Sequence, residues 1–146
     1  MKVLMLANEF PKCHPRQGEL TGFAEKFLRG EKIHTCRLNE NGHWKTGDVV
    51  SVRRWTGMPY RSKQEVVADN VTLRVVPVSF RFYFGFEYFS VELCCGVAFK
   101  NVSHNLFAFR DGLDVCDFIS WFSSKEPYSM WCGSCLFFGE ARYDCE

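Results

Sequence analysis

The sequence predicts an α+β fold, a small barrel of short β-strands accompanied by two short helices. The first observation behind this prediction is the stretch from Val66 to Phe99, which is rich in Val, Phe and Tyr and is punctuated by turn residues at Asp69-Asn70, Gly85 and Gly96. Such a stretch is typical of three or four strands joined by tight turns. The second observation is a pair of segments whose apolar residues recur at helical spacing. The chain has 146 residues, which suits one domain, so we expect a single domain over residues 1–146.

The first half of the chain opens with a strand, a helix and a second strand. Val3 to Leu6 is an apolar run of the length of a short buried strand. Thr21 is a candidate helix cap, and apolar residues from Phe23 to Leu28 give the following helix one apolar face. Gly30 stands where a glycine commonly ends a helix. Ile33 to Arg37 is then the next predicted strand.

The remaining elements are marked by turn and cap residues. Val49 to Val52 follows the turn Gly47-Asp48 and is predicted as a strand. Asp111-Gly112 breaks the chain, and Asp114 is a candidate cap for the second helix, whose apolar residues follow at helical intervals. The segment from Cys132 to Phe138 is predicted as the last strand.

Composition excludes several classes of protein. A hydrophobic fraction of 47% and a charged fraction of 24% are ordinary for a globular chain, so we exclude a mainly disordered protein. The net charge of +1 excludes a uniformly basic protein that wraps nucleic acid. The charge is uneven, since residues 1–81 carry a net charge of +6 and residues 82–146 carry −5. An anionic ligand is therefore expected at the first half.

The cysteines and the apolar runs bear on compartment and on metal binding. The apolar run near Met1 is too short for the core of a signal peptide, and no uncharged apolar stretch is long enough to span a membrane. We therefore expect a cytoplasmic protein whose eight cysteines stay reduced, with no membrane partner. Cys132 and Cys135 form a C-x-x-C, which is half of a zinc site, but no second C-x-x-C exists. We expect neither a metal nor a cofactor.

Three short motifs carry a family resemblance. Gly30 to Arg37 fits G-x-K-x-x-T-x-R, and a K-x-G-D turn begins eight residues later at Lys45. His14 to Phe23 fits H-P-R-x-G-E-x-T-x-F, and Trp55 to Gln64 fits W-S-G-K-P-Y-R-S-K-Q except at its second and fourth positions. Together these motifs resemble the ASCH domain, a family of PUA-like β-barrels, over roughly residues 1–123. The resemblance implies a PUA-like barrel and a site that takes a nucleoside, a nucleotide or RNA.

The residues of the first motif also have chemistry of their own. A lysine that is held on rigid backbone and partly desolvated can act as a base, and Lys32 follows the glycine that ends a helix. Thr35 offers a hydroxyl that such a base can activate, and a carboxylate could complete the set. Acetylcytidine amidohydrolases of the ASCH family use Lys, Thr and Glu, which the resemblance carries over to Lys32, Thr35 and Asp111. Aspartate is one methylene shorter than the glutamate of that family.

Several residues are candidates for ligand binding, each with an ordinary alternative. Basic residues interleaved with aromatic ones suit stacking on bases together with phosphate contacts, and the alternative is a loop whose aromatic rings cover the end of the barrel. Arg37 either binds a ligand or forms a structural salt bridge, for example to Asp111. Asp111 itself precedes a glycine in a common turn signal. The full set of candidate ligand-binding residues is His14, Arg16, Arg37, Trp55, Tyr60, Arg61 and Lys63.

Three functions follow from these candidates. The first is binding of a nucleoside, a nucleotide or RNA in a basic cleft beside the G-x-K-x-x-T-x-R motif. The alternative is an amidohydrolase in which Thr35 attacks an acylated nucleobase, Lys32 accepts the proton and Asp111 assists the leaving amine. The third is a non-catalytic interaction module, because a stripe of alternating phenylalanines from Phe80 to Phe86 would favour a homodimer wherever it is exposed.

Overall fold

A computed structural model describes residues 1–146 as seven strands and three helices, which confirms the α+β class. In chain order the elements are β1 (Lys2–Met5), α1 (Phe23–Leu28), β2 (His34–Arg37), β3 (Val49–Trp55), β4 (Gln64–Tyr83), β5 (Phe89–Cys95), β6 (Ala98–Val102), α2 (His104–Asp111), α3 (Val115–Phe122) and β7 (Tyr128–Phe138). No helix is both long enough and apolar enough to cross a membrane.

The long strand β4 organises the sheet. Its first half pairs with β3, which in turn holds β1 in parallel. Its second half pairs with β7 along one edge and with β5 along the other. β2 joins the far side of β7, and β6 joins the far side of β5. Because β1, β2 and β6 each pair with one strand only, the sheet is not closed into a barrel.

The predicted turn at Asp69-Asn70 is wrong, because β4 runs through it. Asn70 adopts the left-handed conformation (φ 57°) inside the strand. Asparagine tolerates this conformation better than most residues. The register between β3 and β4 also shifts beside it, between Val50 and Val52, as it does at a β-bulge. The Asp-Asn signal therefore marks an irregularity within one long strand, and three strands cover the stretch from Val66 to Phe99.

The helices differ from the prediction in number and in one cap. Asp114 caps α3 as expected, since its carboxylate accepts a hydrogen bond from the Asp117 amide at 2.8 Å. Gly22, and not Thr21, is the cap of α1, and the Thr21 hydroxyl donates to the Ala7 carbonyl at 2.6 Å. The prediction of two helices missed α2. One face of α2 packs into the core, but Phe109 on the other face is half exposed. The apolar residues of α2 therefore form no regular stripe that the sequence could reveal.

Aromatic side chains fill the core between the sheet and the helices. Phe80 is fully buried, and its ring contacts those of Phe82, Phe89, Phe107, Phe118, Phe122 and Trp131. Phe89 and Phe118 stack nearly parallel at 4.5 Å between centroids. The stripe from Phe80 to Phe86 is buried only as far as β4 extends. Phe84 and Phe86 lie beyond Tyr83 in the turn and are exposed.

The last residue anchors the C-terminal segment to β4. Glu146 accepts from the Arg74 guanidinium at 2.8 Å and from the Tyr143 amide at 2.6 Å. Burial alone would raise the pKa of Glu146, but these hydrogen bonds outweigh it and lower the pKa below its usual 4.5. Because the folded pKa is depressed, the stability from this carboxylate is fully present above about pH 4.5 and is lost as the pH falls through the folded value.

We therefore expect Glu146→Gln to flatten the loss of stability in acid. Near neutral pH the variant should be less stable than the parent chain, and the difference should shrink as the pH falls below about 4.5. Urea unfolding at several pH values measures this. The control is Glu140→Gln, because Glu140 is exposed and has no ion-pair partner. A difference between Glu146→Gln and the parent that does not change with pH would contradict the expectation.

Candidate functional site

The motif residues enter a buried polar cluster between α1, β2 and the end of α2. Gly30, with φ 78°, ends α1, and the chain turns into β2 with the Ile33 amide donating to the Arg110 carbonyl at 2.8 Å. At the end of α2, Gly112 has φ 96°, a conformation that favours glycine. These two turns place Lys32 beside Asp111. Two residues that the resemblance named therefore lie side by side, which does not test their role.

Lys32 is enclosed on all sides. Its ammonium donates to the backbone carbonyl of Asp111, lies 3.7 Å from Asp111 Oδ1 and sits 4.4 Å above the centroid of the Phe23 ring. The side chain is 1% exposed. Burial lowers the pKa of Lys32 from its usual 10.5, and the Asp111 carboxylate offsets part of that effect. The ion pair is therefore shielded from solvent.

His34 extends the cluster on the same face of β2. In its neutral form, Nδ1–H donates to Asp111 Oδ1 at 3.0 Å, and Nε2 accepts from the Tyr143 hydroxyl. Burial alone would lower the pKa of His34, but the Asp111 hydrogen bond and the neighbouring Cys36 outweigh it, and the pKa is raised above 6.5. The Asp111 carboxylate therefore contacts both the Lys32 ammonium and the His34 imidazole. His34 is thus a buried residue whose two ring nitrogens both have polar partners.

Thr35 and Arg37 lie on the opposite face of β2 from His34, as the strand period requires. Arg37 donates to the Thr35 hydroxyl at 2.7 Å and to the Met5 carbonyl at 2.8 Å. No hydrogen bond joins Thr35 to Lys32, and no salt bridge joins Arg37 to Asp111. The structure therefore brings Lys32 and Asp111 together but leaves Thr35 apart, with Arg37 as its partner.

His14 and Arg16 tie their loop to α3. His14 is buried, with Nδ1 accepting from the Arg16 amide at 3.0 Å, so its Nε2–H donates to the Asp117 carbonyl at 3.1 Å. The ring packs against Phe10, 4.5 Å between centroids. Arg16 forms an ion pair with the Asp117 carboxylate, and this bond raises the pKa of Arg16. Both candidate ligand residues already have partners within the chain.

The hairpin between β3 and β4 presents the other four candidates, which we call the aromatic hairpin (residues 55–63). Trp55 and Tyr60 face each other with ring centroids 5.1 Å apart, and Tyr60 is 90% exposed. Arg61 and Lys63 are exposed, and neither forms an ion pair. The structure thus places two aromatic rings and two free cations on one surface loop. The aromatic rings do not cover the end of a closed barrel.

The cysteine motif does not form the half-site that its spacing suggests. Residues three apart on a strand point to opposite faces, and Cys132 is exposed on β7 while Cys135 is buried. Cys135 is instead the register partner of Cys36 on β2, so the two side chains lie on the same face of the sheet. The spacing of C-x-x-C carries no information about this pairing across strands. The sequence signal for this cluster is the i, i+2 spacing of His34 and Cys36 on β2, which places both side chains on one face of the strand.

Comparison of the chain with protein-family models, with curated proteins and with solved structures finds no match. The resemblance to the ASCH family therefore stays a prediction.

Proposed function

We propose that this protein binds single-stranded RNA or a nucleotide through the aromatic hairpin. The observation that supports the proposal is the pair of the half-buried Trp55 and the exposed Tyr60 beside two cations that have no acidic partner. An aromatic ring stacks on any base, and a nearby cation contacts the phosphate, which is the arrangement that single-strand binding proteins use. The net charge of +6 on residues 1–81 favours the approach of an anionic strand to this side.

The hairpin is held in shape before any ligand arrives. The amide and the hydroxyl of Thr56 both donate to the Lys63 carbonyl at 2.9 Å. Ser62 closes the tip, because its hydroxyl accepts from the Gly57 amide at 3.0 Å and donates to the Met58 carbonyl at 2.9 Å. A preformed loop loses little conformational entropy on binding. Tyr60 keeps a left-handed backbone (φ 63°), a conformation that is uncommon for aromatic residues and frequent at binding sites.

The neighbouring Arg54 differs from the two free cations of the hairpin, because acidic residues neutralise it. Arg54, on β3, is paired with Glu25 at 2.8 Å and with Glu65 at 3.2 Å. An arginine that is neutralised in this way has little left to offer a phosphate. Arg61 and Lys63, a few residues farther along, have no carboxylate to displace. We therefore assign phosphate contact to these two residues and base stacking to Trp55 and Tyr60.

Removal of the two cations should weaken binding and lower its dependence on salt. For Arg61→Ala with Lys63→Ala, we expect the slope of log K against log salt to fall by about 1.4, since each contact to a single strand contributes about 0.7. Tyr60→Ala should cost about 1–3 kcal/mol of binding free energy, roughly 5- to 150-fold in affinity. Fluorescence anisotropy of a labelled single-stranded RNA, titrated at several salt concentrations, measures both effects.

The control for the double variant removes the same charge elsewhere. Lys12 and Lys125 are exposed, lie outside the hairpin and have no salt bridge. Lys12→Ala with Lys125→Ala should therefore bind RNA with nearly the slope and affinity of the parent chain. Equal losses of affinity in the two double variants would mean that RNA binding depends only on the net charge of the protein. The hairpin would then not be the binding site.

The amidohydrolase alternative is separated from binding by one assay. It requires the Thr35 hydroxyl to reach Lys32, and in this structure that hydroxyl is held by Arg37. Binding alone predicts that the folded protein releases no cytidine from acetylcytidine. Release that disappears in Lys32→Met and in Thr35→Val would replace binding by hydrolysis as the function. Thr35→Val keeps the shape of the side chain, so we expect the variant to fold. A loss of turnover in it would then be due to the missing hydroxyl.

We also propose that the chain is a PUA-like domain of ASCH type whose sheet stays open. The support is the G-x-K-x-x-T-x-R motif, together with the burial of Lys32 at the turn from α1 into β2. Self-association remains part of the proposal, because Phe84, Phe86 and Tyr88 are exposed together between β4 and β5. Light scattering of the chain in solution tests it, with a strictly monomeric mass as the contrary result.

A further inference from the structure

Three soft or borderline donors meet in the core beneath α2. The imidazole of His34 and the thiols of Cys36 and Cys135 all lie within 4.8 Å of one another, and all three residues are buried. The register of β2 and β7 explains the meeting. Cys36 stands directly opposite Cys135, and His34 lies two residues before Cys36 on the same face. The binding function proposed above uses none of these side chains.

We propose that His34, Cys36 and Cys135 form a binding site for a zinc ion. Thiolate sulfur and imidazole nitrogen are the ligands that zinc prefers, and two cysteines with one histidine are a known set of three protein ligands. Zn–S and Zn–N distances of about 2.3 and about 2.0 Å set tetrahedral donors about 3.5–3.8 Å apart. Since the three donors lie within 4.8 Å of one another, they must close by about 1.3 Å at most. Rotation of the two thiols supplies a movement of that size.

The surroundings of His34 match those of a metal-bound histidine. Its Nδ1–H is held by the Asp111 carboxylate at 3.0 Å, which fixes the ring and the tautomer, so Nε2 carries the lone pair. A carboxylate that orients a ligating histidine is the usual outer partner of a zinc site. Nε2 now accepts from the Tyr143 hydroxyl, which would give up that bond to the ion.

The charges of the loaded site also balance. Two thiolates and one Zn²⁺ sum to zero, and the adjacent pair Lys32–Asp111 is neutral as well. Burial of an uncompensated charge is costly, whereas a neutral cluster avoids most of that cost. Since the site is closed to solvent, the ion would enter as the chain folds, and its binding free energy would add to folding stability.

The test uses the full chain, reduced, stripped of metal with a chelator and titrated with Co²⁺ as a spectroscopic probe. We expect one equivalent to bind, with the intense thiolate charge-transfer band and the visible bands of tetrahedral cobalt. Zn²⁺ should then displace Co²⁺ and bleach both. Both bands should be lost in Cys135→Ser and in Cys36→Ser. The matched control is Cys132→Ser, three residues earlier on the same strand, which should retain the bands because Cys132 is exposed.

The outcomes separate the proposal from its rivals. No bands in the folded parent chain, or bands that survive Cys135→Ser, would overturn it. Bands that vanish in Cys132→Ser would assign the metal to the C-x-x-C and overturn the proposal as well.

A second measurement needs no substitution and therefore does not depend on a variant that folds. Metal binding to two thiols releases protons, so the parent chain in weak buffer should acidify the solution by about two protons per Zn²⁺. Fewer than one would overturn the site.

Discussion

Asp111→Ala should destabilise the protein by about 3–5 kcal/mol, because it leaves a lysine buried without its counter-charge. The carboxylate lies 3.7 Å from the Lys32 ammonium and accepts from His34 Nδ1 at 3.0 Å. Lys32 cannot recover solvent by a change of rotamer, since its side chain is 1% exposed. The loss would appear as a lower urea midpoint with an unchanged slope of unfolding.

Two further variants make this first prediction specific. Asp144→Ala removes an exposed carboxylate that has no ion-pair partner, and we expect a change within about 0.5 kcal/mol. Adding Lys32→Met to Asp111→Ala should recover part of the stability, because the double variant no longer buries an unpaired charge. If Asp111→Ala proved as mild as Asp144→Ala, or if Lys32→Met added to the loss in full, the buried ion pair would not carry the energy assigned to it.

Phe80→Ala should cost a similar amount, about 3–5 kcal/mol, for a different physical reason. Its ring is fully buried and lies at the centre of the aromatic core, stacked on Trp131 at 5.1 Å and edge-on to Phe118 at 4.9 Å. Truncation loses the transfer free energy of the ring and leaves a cavity that large neighbouring rings cannot collapse to fill. Thermal or urea unfolding measures the loss.

The same strand and the turn after it supply a matched control for Phe80. Phe84 is the same residue type, four positions along and two-thirds exposed. Phe84→Ala should therefore change the free energy of unfolding by about 0.5 kcal/mol or less. A large loss from Phe84→Ala would show that this ring is covered in solution and would support a self-associated form over a monomer.

Local patterns in the sequence predicted much of the fold. The glycine that ends α1, the cap of α3 and most strands were read from turn chemistry and periodicity, because those signals act over a few residues. The helix α2 and the continuity of β4 through Asn70 were not. In α2 tertiary packing selects which side chains are buried, and in β4 pairing with three other strands outweighs a local turn signal.

The candidate site could be predicted only where one segment holds all its parts. The aromatic hairpin is continuous, so its rings and cations were visible in the sequence. The position of Lys32 beside Asp111 could not be read from any local spacing, since 79 residues separate them. The meeting of His34, Cys36 and Cys135 depends on the register between β2 and β7, and no spacing along the chain encodes that register.

The 20 residues of β4 belong to both parts of the sheet, pairing first with β3 and then with β5 and β7. Neither part can detach while β4 stays in place, so we expect the chain to unfold as one cooperative unit without a half-folded intermediate. In native-state hydrogen exchange, the amides that pair β4 with β3 and those that pair it with β7 should share one opening free energy. The hydrogen bonds at the hairpin tip lie outside this unit, so they should exchange sooner and can open without loosening the core.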